Sequence, residues 1–294
     1  MSNLVYADVI DIGSNSIRYM HAAVTTQSVT AVERKRLITT RLAQGLDKSD
    51  ELSEDAMQRS LDAIHTFADI SREKATPYLF AYATSAVRDA RNGIEFCARI
   101  QRETGIGVDV LSGDQEAKLA YTGAVGCAGG GLIDIGGGSA QVMTDTVSYS
   151  SPIGCVRVKD KYAQLPYGKM RQELSLWLDS CCAELSSIRQ PRWTGVGGTI
   201  TTLAALTAGL TEYDPAAVTR QILKDESLEV LLTELDAMGE TRRLHPLLKD
   251  RHDVILFGGG VLAELMRMMN IHKLFVSDAD GMEGYLLNRS DLLL

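Results

Sequence analysis

The amino-acid sequence predicts an α/β protein built as two units. Apolar strand-like runs alternate with segments of helical period along the whole chain. A strand–glycine turn–strand pattern occurs twice, as VIDIGSNSIRYM at 9–20 and LIDIGGGSAQVM at 132–143. The 294 residues are enough for one large or two medium domains with a real core.

The elements follow in order. Val5–Ile12 reads as a strand, a tight turn follows, and Ile17–Thr25 reads as its partner, with Thr30–Thr39 able to complete a meander. Residues 48–75 read as a helix, with Ser53 as N-cap and Leu61, Ile64, Phe67 and Ala68 at helical spacing. Residues 77–84 form a buried strand, 85–105 a helix, 108–112 a strand and 114–125 a helix that leads out of the first unit. The second unit repeats the opening hairpin. Its copy matches the first at Ile10/Ile133, Asp11/Asp134, Ile12/Ile135, Gly13/Gly136, Ser16/Ser139 and Met20/Met143, which points to a duplicated domain. Residues 192–206 and 254–269 each read as an apolar strand, a glycine turn and a helix.

Bulk composition narrows the function. A net charge of −8 argues against a general nucleic-acid binder, whose affinity rests on clustered Lys and Arg. Small anionic ligands stay open, because backbone amides hold phosphate without net positive charge. Cys97, Cys127, Cys155, Cys181 and Cys182 include no C-x-x-C pair, so they suggest neither a disulfide framework nor a zinc site, but buried thiols in a reducing cytosol. No signal-peptide pattern opens the chain and no apolar run approaches bilayer length, so the expectation is a cytoplasmic protein with no membrane partner.

The repeated turns suggest phosphate chemistry. Gly13-Ser14-Asn15-Ser16 and Gly136-Gly137-Gly138-Ser139 can each present successive N–H groups as an anion-binding concavity, with Ser and Asn adding side-chain donors. An Asp stands just before each turn, where its carboxylate can meet Mg²⁺ directly or through water. Further glycine turns are expected at 195–198 and 258–260. None of these fits the P-loop or the dinucleotide G-x-G-x-x-G pattern. Ordinary hairpin turns share the same residues, so the weight lies on their number.

Taken together, DIGSNSIR (11–18), YATSAVRDARNGIEF (82–96), VLSGDQEAKLAYTGAV (110–125), LIDIGGGSAQV (132–142), SPIGCVRV (151–158), GVGGTITTLAAL (195–206) and VSDADGMEG (276–284) resemble the exopolyphosphatase/guanosine pentaphosphatase family of the acetate kinase–sugar kinase–Hsp70–actin superfamily. The motifs run in family order over most of the chain. The resemblance is to a short form without the C-terminal helical domains of longer members. It implies two actin-like (ribonuclease H-like) domains, with mixed sheets flanked by helices and an active-site cleft between them. Domain I is expected over 1–119 with the C-terminal helix 285–294 packing back on it, and domain II over 120–284. It also implies metal-assisted, in-line hydrolysis of terminal phosphate from polyphosphate or a related phosphoanhydride, with Mg²⁺ or Mn²⁺. Dimers are common in the family, which leaves a homodimer open.

Residue by residue, the resemblance makes Glu116 the base that activates water. A glutamate in the first turn of a helix also suits the macrodipole alone. Asp114 is a weaker candidate, or an N-cap. Asp11 and Asp134 are expected to hold the metal, and Gly13, Ser14, Asn15 and Ser16 with Gly136, Gly137, Gly138 and Ser139 to cradle phosphate. Arg88 matches the family's phosphate-contacting arginine, whose planar fork grips phosphate oxygens; a surface arginine paired with Asp89 is the plainer reading. Gly197, Gly198 and Thr199 are further phosphate contacts, although tight strand–helix packing explains the glycines equally well.

Position 141 departs from the family, which has Glu where this chain has Gln141. If Ala140 and Val142 face the core, strand alternation turns Gln141 toward the cleft and the metal. An uncharged amide there weakens metal binding or changes the preferred ion or substrate. Four readings stand: an exopolyphosphatase, a guanosine pentaphosphate 5′-phosphohydrolase, a phosphate- or nucleotide-binding sensor with little turnover, and a small-molecule kinase of the same superfamily. The last lacks an identifiable base for a substrate hydroxyl.

Overall fold

In the computed structural model, which describes residues 4–293, the chain divides into two compact units, one running to residue 123 and resuming at 279, the other spanning 124–278.

The first unit opens with β1 (Val5–Ile12) and β2 (Ser16–Val24), joined by the turn at 13–15. Residues 30–39 are not one strand. They give β3 (Val29–Ala31) and β4 (Arg36–Thr39), each antiparallel to a different half of β2. A short helix α1 (Leu46–Ser49) precedes α2 (Glu54–Glu73), so the helix predicted from residue 48 starts later, where Ser53 Oγ accepts the Ala56 N–H at 3.3 Å. The apolar stripe of α2 packs on the sheet, with Phe67 stacked on Tyr19 at 5.4 Å between ring centres. Next come β5 (Leu79–Ala83), α3 (Ser85–Asp89), α4 (Gly93–Thr104), β6 (Val108–Val110) and α5 (Gly113–Ala124). The single helix predicted over 85–105 is broken, because Ala90 is extended. The chain doubles back there so tightly that a Cβ on Gly93 would lie 1.9 Å from the Val87 carbonyl oxygen. The sheet order is β3-β2-β1-β5-β6, antiparallel on one side of β1 and parallel on the other.

The second unit contains β7 (Gly131–Ile135), β8 (Ala140–Met143), β9 (Ser148–Ser151), α6 (Cys155–Tyr162), α7 (Tyr167–Cys181), β10 (Trp193–Val196), α8 (Gly197–Thr207), α9 (Pro215–Thr219), β11 (Ile222–Lys224), α10 (Asp225–Met238), α11 (Ile255–Met269) and β12 (Lys273–Val276). Its sheet order is β11-β12-β10-β7-β8-β9. From β9 through β8, β7 and β10 to β12, this repeats the order and the strand directions of the first sheet. Two sheets of one topology, each opening on the same motif, bear out the duplication read from the sequence. Ile133, Ile135, Ala140 and Val142 join the apolar face of α11 in one continuous core.

The reading of 254–269 fails. Residues 255–269 are one helix, and Gly258, Gly259 and Gly260 lie inside it with no turn. Their role is close packing. A Cβ on Gly258 would sit 2.7 Å from Thr199 Cγ2, and one on Gly259 2.3 Å from Leu232 Cδ2. An apolar run with central glycines looks alike as strand-turn-helix or as a buried helix; burial on almost every side decided for the helix.

The chain then returns to the first unit through α12 (Gly281–Leu287) and α13 (Ser290–Leu293). Tyr285 packs on Tyr82 at 4.7 Å between ring centres, and Tyr285, Leu286 and Leu293 join the core of that unit. Helices α5 and α12 meet backbone to backbone. A Cβ on Gly284 would lie 1.9 Å from the Leu119 carbonyl oxygen, and one on Gly123 2.0 Å from that of Asp280. This crossing holds the end of α5 and the whole of α12 together, so the boundaries lie at 123/124 and 278/279 and not at the expected 119/120 and 284/285.

In an open helix interior, Gly→Ala stabilises by roughly 0.5–1 kcal/mol. Gly259→Ala is expected to do the opposite and destabilise by about 1–3 kcal/mol through overpacking against Leu232. Urea unfolding of the variant measures the sign directly.

Candidate functional site

The first unit builds its candidate site on the β1–β2 hairpin. The turn is closed by the Gly13 N–H, which donates to the Ser16 carbonyl at 3.2 Å. The carbonyls of Ser14 and Asn15 point away into the fold, accepting from Ala43 and from Thr40 and Arg41. Gly13 is needed for space and not for a left-handed backbone, because its Cβ would stand 2.8 Å from the Ser16 carbonyl oxygen. The side chains brace the turn: the Ser14 hydroxyl meets that of Ser85 at 2.9 Å, and the Asn15 amide donates to Ser16 Oγ at 3.2 Å. The expected side-chain donors are thus used within the fold. The amides of Ser14 and Asn15, which donate to no backbone carbonyl among the described residues, are the groups suited to an anion.

Asp11 faces Arg18 across the β1–β2 ladder. Arg18 Nε donates to Asp11 Oδ2 at 2.9 Å, Nη2 reaches the same oxygen, and Nη1 reaches Asp280. Asp280 is also the N-cap of α12, accepting the Met282 N–H at 3.0 Å, while Lys35 lies 2.9 Å from Glu283 and 3.5 Å from Asp280. Burial pushes the Asp11 carboxyl up despite the Arg18 charge. Burial also acts to raise Asp280, but Arg18 and Lys35 outweigh it and hold that carboxyl well below the usual carboxylate range. Sequence reasoning missed Arg18, Lys35 and Asp280 as a charge network. Two of them lie inside quoted motifs; what was not legible was that strand register and the returning C-terminal helix bring them together.

Glu116 and Arg88 are brought together as well. Helix α5 starts on a capping box formed by Ser112 and Gln115: the Gln115 N–H donates to Ser112 Oγ at 3.2 Å, and the Ser112 N–H to Gln115 Oε1 at 2.8 Å. The cap is therefore Ser112 and not Asp114. It sets Glu116 in the first turn, with its carboxylate Oε2 3.2 Å from Arg88 Nη1. The same nitrogen donates to the Leu111 carbonyl at 2.9 Å, and Arg88 Nε donates to Asp89 at 3.2 Å. Glu116 keeps partial access to solvent, as a base acting on water needs.

The second unit carries the matching turn. The Gly136 N–H donates to the Ser139 carbonyl at 2.9 Å, and the Gly136 and Gly137 carbonyls accept from Cys155 and Val156 at the start of α6. The carbonyls again face inward, and the Gly137 and Gly138 amides donate to no backbone carbonyl among the described residues. Asp134 is in register with Gln141. Paired residues share one face of a sheet, so Gln141 lies on the face of Asp134, opposite Ala140 and Val142. Gln141 is fully enclosed. Its Nε2 donates to Ser139 Oγ at 2.8 Å and Ser150 Oγ at 3.5 Å, while Oε1 is buried with no hydrogen-bond partner. In the duplicated hairpin Gln141 stands where Arg18 stands in the first copy.

Strand β10 leads into α8 through Gly197, whose φ of +82° only glycine adopts readily and whose Cβ would lie 2.2 Å from Asp134 Oδ1. The Asp134 carboxylate thus sits at the N-terminus of α8. Gly198 leaves room for the Arg251 guanidinium, as a Cβ there would lie 2.3 Å from Nη2. Arg251, which no sequence motif flagged, is the basic group beside this turn. Thr199 is buried, and its hydroxyl is within hydrogen-bond reach of the Cys155 thiol.

Among the described residues no group of three or more His, Cys, Asp or Glu is gathered for a metal. Each unit by itself offers oxygen: the first the Asp11 carboxylate, with its partnerless Oδ1, and the second the Asp134 carboxylate and the partnerless Oε1 of Gln141. Oxygen donors of this kind suit Mg²⁺ or Mn²⁺, hard ions that bind through one or two carboxylates, retained water and substrate phosphate. No helix of the described residues is long and apolar enough to cross a membrane.

Comparison with known proteins gives the family and the fold. The model of the Ppx/GppA phosphatase family matches residues 21–292. Exopolyphosphatase 2 of Mycobacterium tuberculosis is 31% identical over 313 aligned positions, covering 95% of this chain and 97% of that protein. The Aquifex aeolicus member of the Ppx/GppA family superposes with a TM-score of 0.77 at 27% identity, covering 98% of each chain. An exopolyphosphatase-like protein of known crystal structure superposes with a TM-score of 0.89 at 26% identity, covering 99% of this chain and all of that one.

Arg18→Met leaves Asp11 and Asp280 without their shared cation and is expected to destabilise by about 3 kcal/mol, the lower end for breaking a buried pair. Because the Asp280 carboxyl is depressed in the folded state, the stability it contributes is present above its unfolded pKa of about 3.9 and lost as pH falls further. The deficit of the variant in urea unfolding should therefore shrink below about pH 4. A deficit independent of pH would show that packing, not charge, carries the role of Arg18.

Proposed function

We propose that this protein, which belongs to the Ppx/GppA phosphatase family, removes the terminal phosphate of inorganic polyphosphate by in-line attack of water. The observation that carries the reading is the Glu116–Arg88 pair, set at 3.2 Å by the Ser112–Gln115 cap. A water held by the Glu116 carboxylate can pass its proton there as the oxygen attacks phosphorus. Arg88, 3.2 Å from that carboxylate, offers its remaining donors to the phosphoryl oxygens as charge gathers on them.

The hairpin turns suit the rest of the chain of phosphates. Amides of Ser14 and Asn15 in one unit, and of Gly137 and Gly138 in the other, supply donors aimed at anionic oxygen without adding net charge. Gly197, Gly198 and Arg251 are second-unit candidates for further phosphate contact. Asp134 with Gln141, and Asp11, are the residues that would hold Mg²⁺ or Mn²⁺, which when bound neutralises phosphate charge. Asp11 shares Oδ2 with Arg18, and its Oδ1, buried without a hydrogen-bond partner, is the oxygen it would offer.

Phosphate release from short polyphosphate, long polyphosphate, guanosine pentaphosphate and ATP, with Mg²⁺ or Mn²⁺, tests the proposal. Polyphosphate is expected to turn over fastest, and Glu116→Ala to lose roughly 10²–10⁴-fold in rate, the usual contribution of a general base. Equal release by wild type and variant removes Glu116 from the mechanism. Preference for guanosine pentaphosphate moves the substrate to that nucleotide, and binding without turnover makes the protein a sensor.

Gln141→Glu buries a second carboxylate across from Asp134. The variant is expected to lose thermal stability in metal-free buffer and to regain more of it than wild type when Mg²⁺ is added. Thermal melts across a metal titration measure this, and identical titrations would remove position 141 from the metal site.

A further inference from the structure

Cysteines 181 and 182 close α7, outside every motif that carries the phosphate reading. Cys182 is buried, whereas Cys181 is exposed, against the expectation of buried thiols throughout. Their sulfurs lie 3.2 Å apart. The Tyr149 hydroxyl, from β9, donates to the Cys181 carbonyl and lies 3.4 Å from Cys182 Sγ. Cys182 Sγ is in turn 3.7 Å from Ser151 Oγ. Strand β9 is the edge of its sheet and pairs only with β8, placing Ser150 opposite Gln141.

We propose that Cys181 and Cys182 are a reversible modification site, a dithiol that a peroxide closes to a disulfide and whose closure is felt through β9 at Gln141. The exposed Cys181 sulfur, whose thiol is pushed up to about 11 by partial burial and by Cys182, loses its proton and attacks one oxygen of hydrogen peroxide as the thiolate. The O–O bond breaks, Cys181 becomes a sulfenic acid, and one water leaves with the thiol proton. The Cys182 sulfur then displaces hydroxide from Cys181, the S–S bond forms, and a second water leaves with the Cys182 proton. Two thiols and one peroxide give one disulfide and two waters. The sulfurs must close to about 2.05 Å. Neighbouring Cα atoms stand about 3.8 Å apart, below the usual disulfide span, so the bond is strained and readily reduced. Closure withdraws Cys182 Sγ from Ser151 and turns the Cys181 carbonyl on Tyr149. An edge strand can follow this without breaking a second ladder, and the long 3.5 Å contact from Gln141 to Ser150 is the first to change.

The coupling to Gln141 rests on the proposed phosphatase function, and the test separates the two. Folded wild-type protein is treated with hydrogen peroxide, blocked and digested with trypsin, which releases residues 172–189 with both cysteines in one peptide. That peptide is expected to lose the mass of two hydrogens and to regain it with a dithiol reductant. Phosphate release is expected to fall at least about fivefold on oxidation, the low end of ordinary coupling between sites, and to recover on reduction, while Cys181→Ser keeps its activity throughout. A peptide that retains both thiols while Cys97 or Cys155 oxidises overturns the site. A disulfide that forms with no change in phosphate release overturns the coupling. A reduced protein that releases no phosphate at all sinks the phosphatase reading, and the peptide mass then decides the disulfide alone.

Discussion

One guanidinium organises the first unit. Arg18 joins Asp11, at the end of the central strand, to Asp280, the cap of the helix that brings the C-terminus home. Neither carboxylate tolerates burial alone, and the arginine between them fixes both. The hairpin turn leaves β1 just past Asp11, so whatever holds Asp11 also holds the Ser14 and Asn15 amides in place. The backbone contact of α5 with α12 extends the constraint to Glu116, which rides on the same helix as Gly123.

The second unit reuses the hairpin but not the arginine. Its Asp134 meets a helix N-terminus at Gly197, and its cross-strand partner is the neutral Gln141. The same backbone frame therefore sets an arginine across from the carboxylate in one copy and an amide in the other. Each copy keeps a buried oxygen without a hydrogen-bond partner, Oδ1 of Asp11 in the first and Oε1 of Gln141 in the second.

Much of this was legible in the sequence. Both hairpins, the Ser53 cap and the α/β alternation follow from local residue chemistry, and the duplicated motif foretold two sheets of one topology. What was hidden needed tertiary information. Gly258–Gly260 looked like a turn because glycine marks turns and close helix packing alike. Asp114 looked like a cap because it stands only two residues after Ser112, the residue that the Ser112–Gln115 box makes the cap. Arg251 lies in no motif, and only the space left by Gly198 reveals it.

The proposed mechanism requires Glu116 to act on water and not only as a structural partner of Arg88. Equilibrium binding of short polyphosphate to Glu116→Gln, measured by calorimetry beside single-turnover phosphate release, separates the two roles. A base that acts only in the transition state predicts binding close to wild type with release strongly reduced. Binding and release lost together would contradict the account and make Glu116 a prop for Arg88.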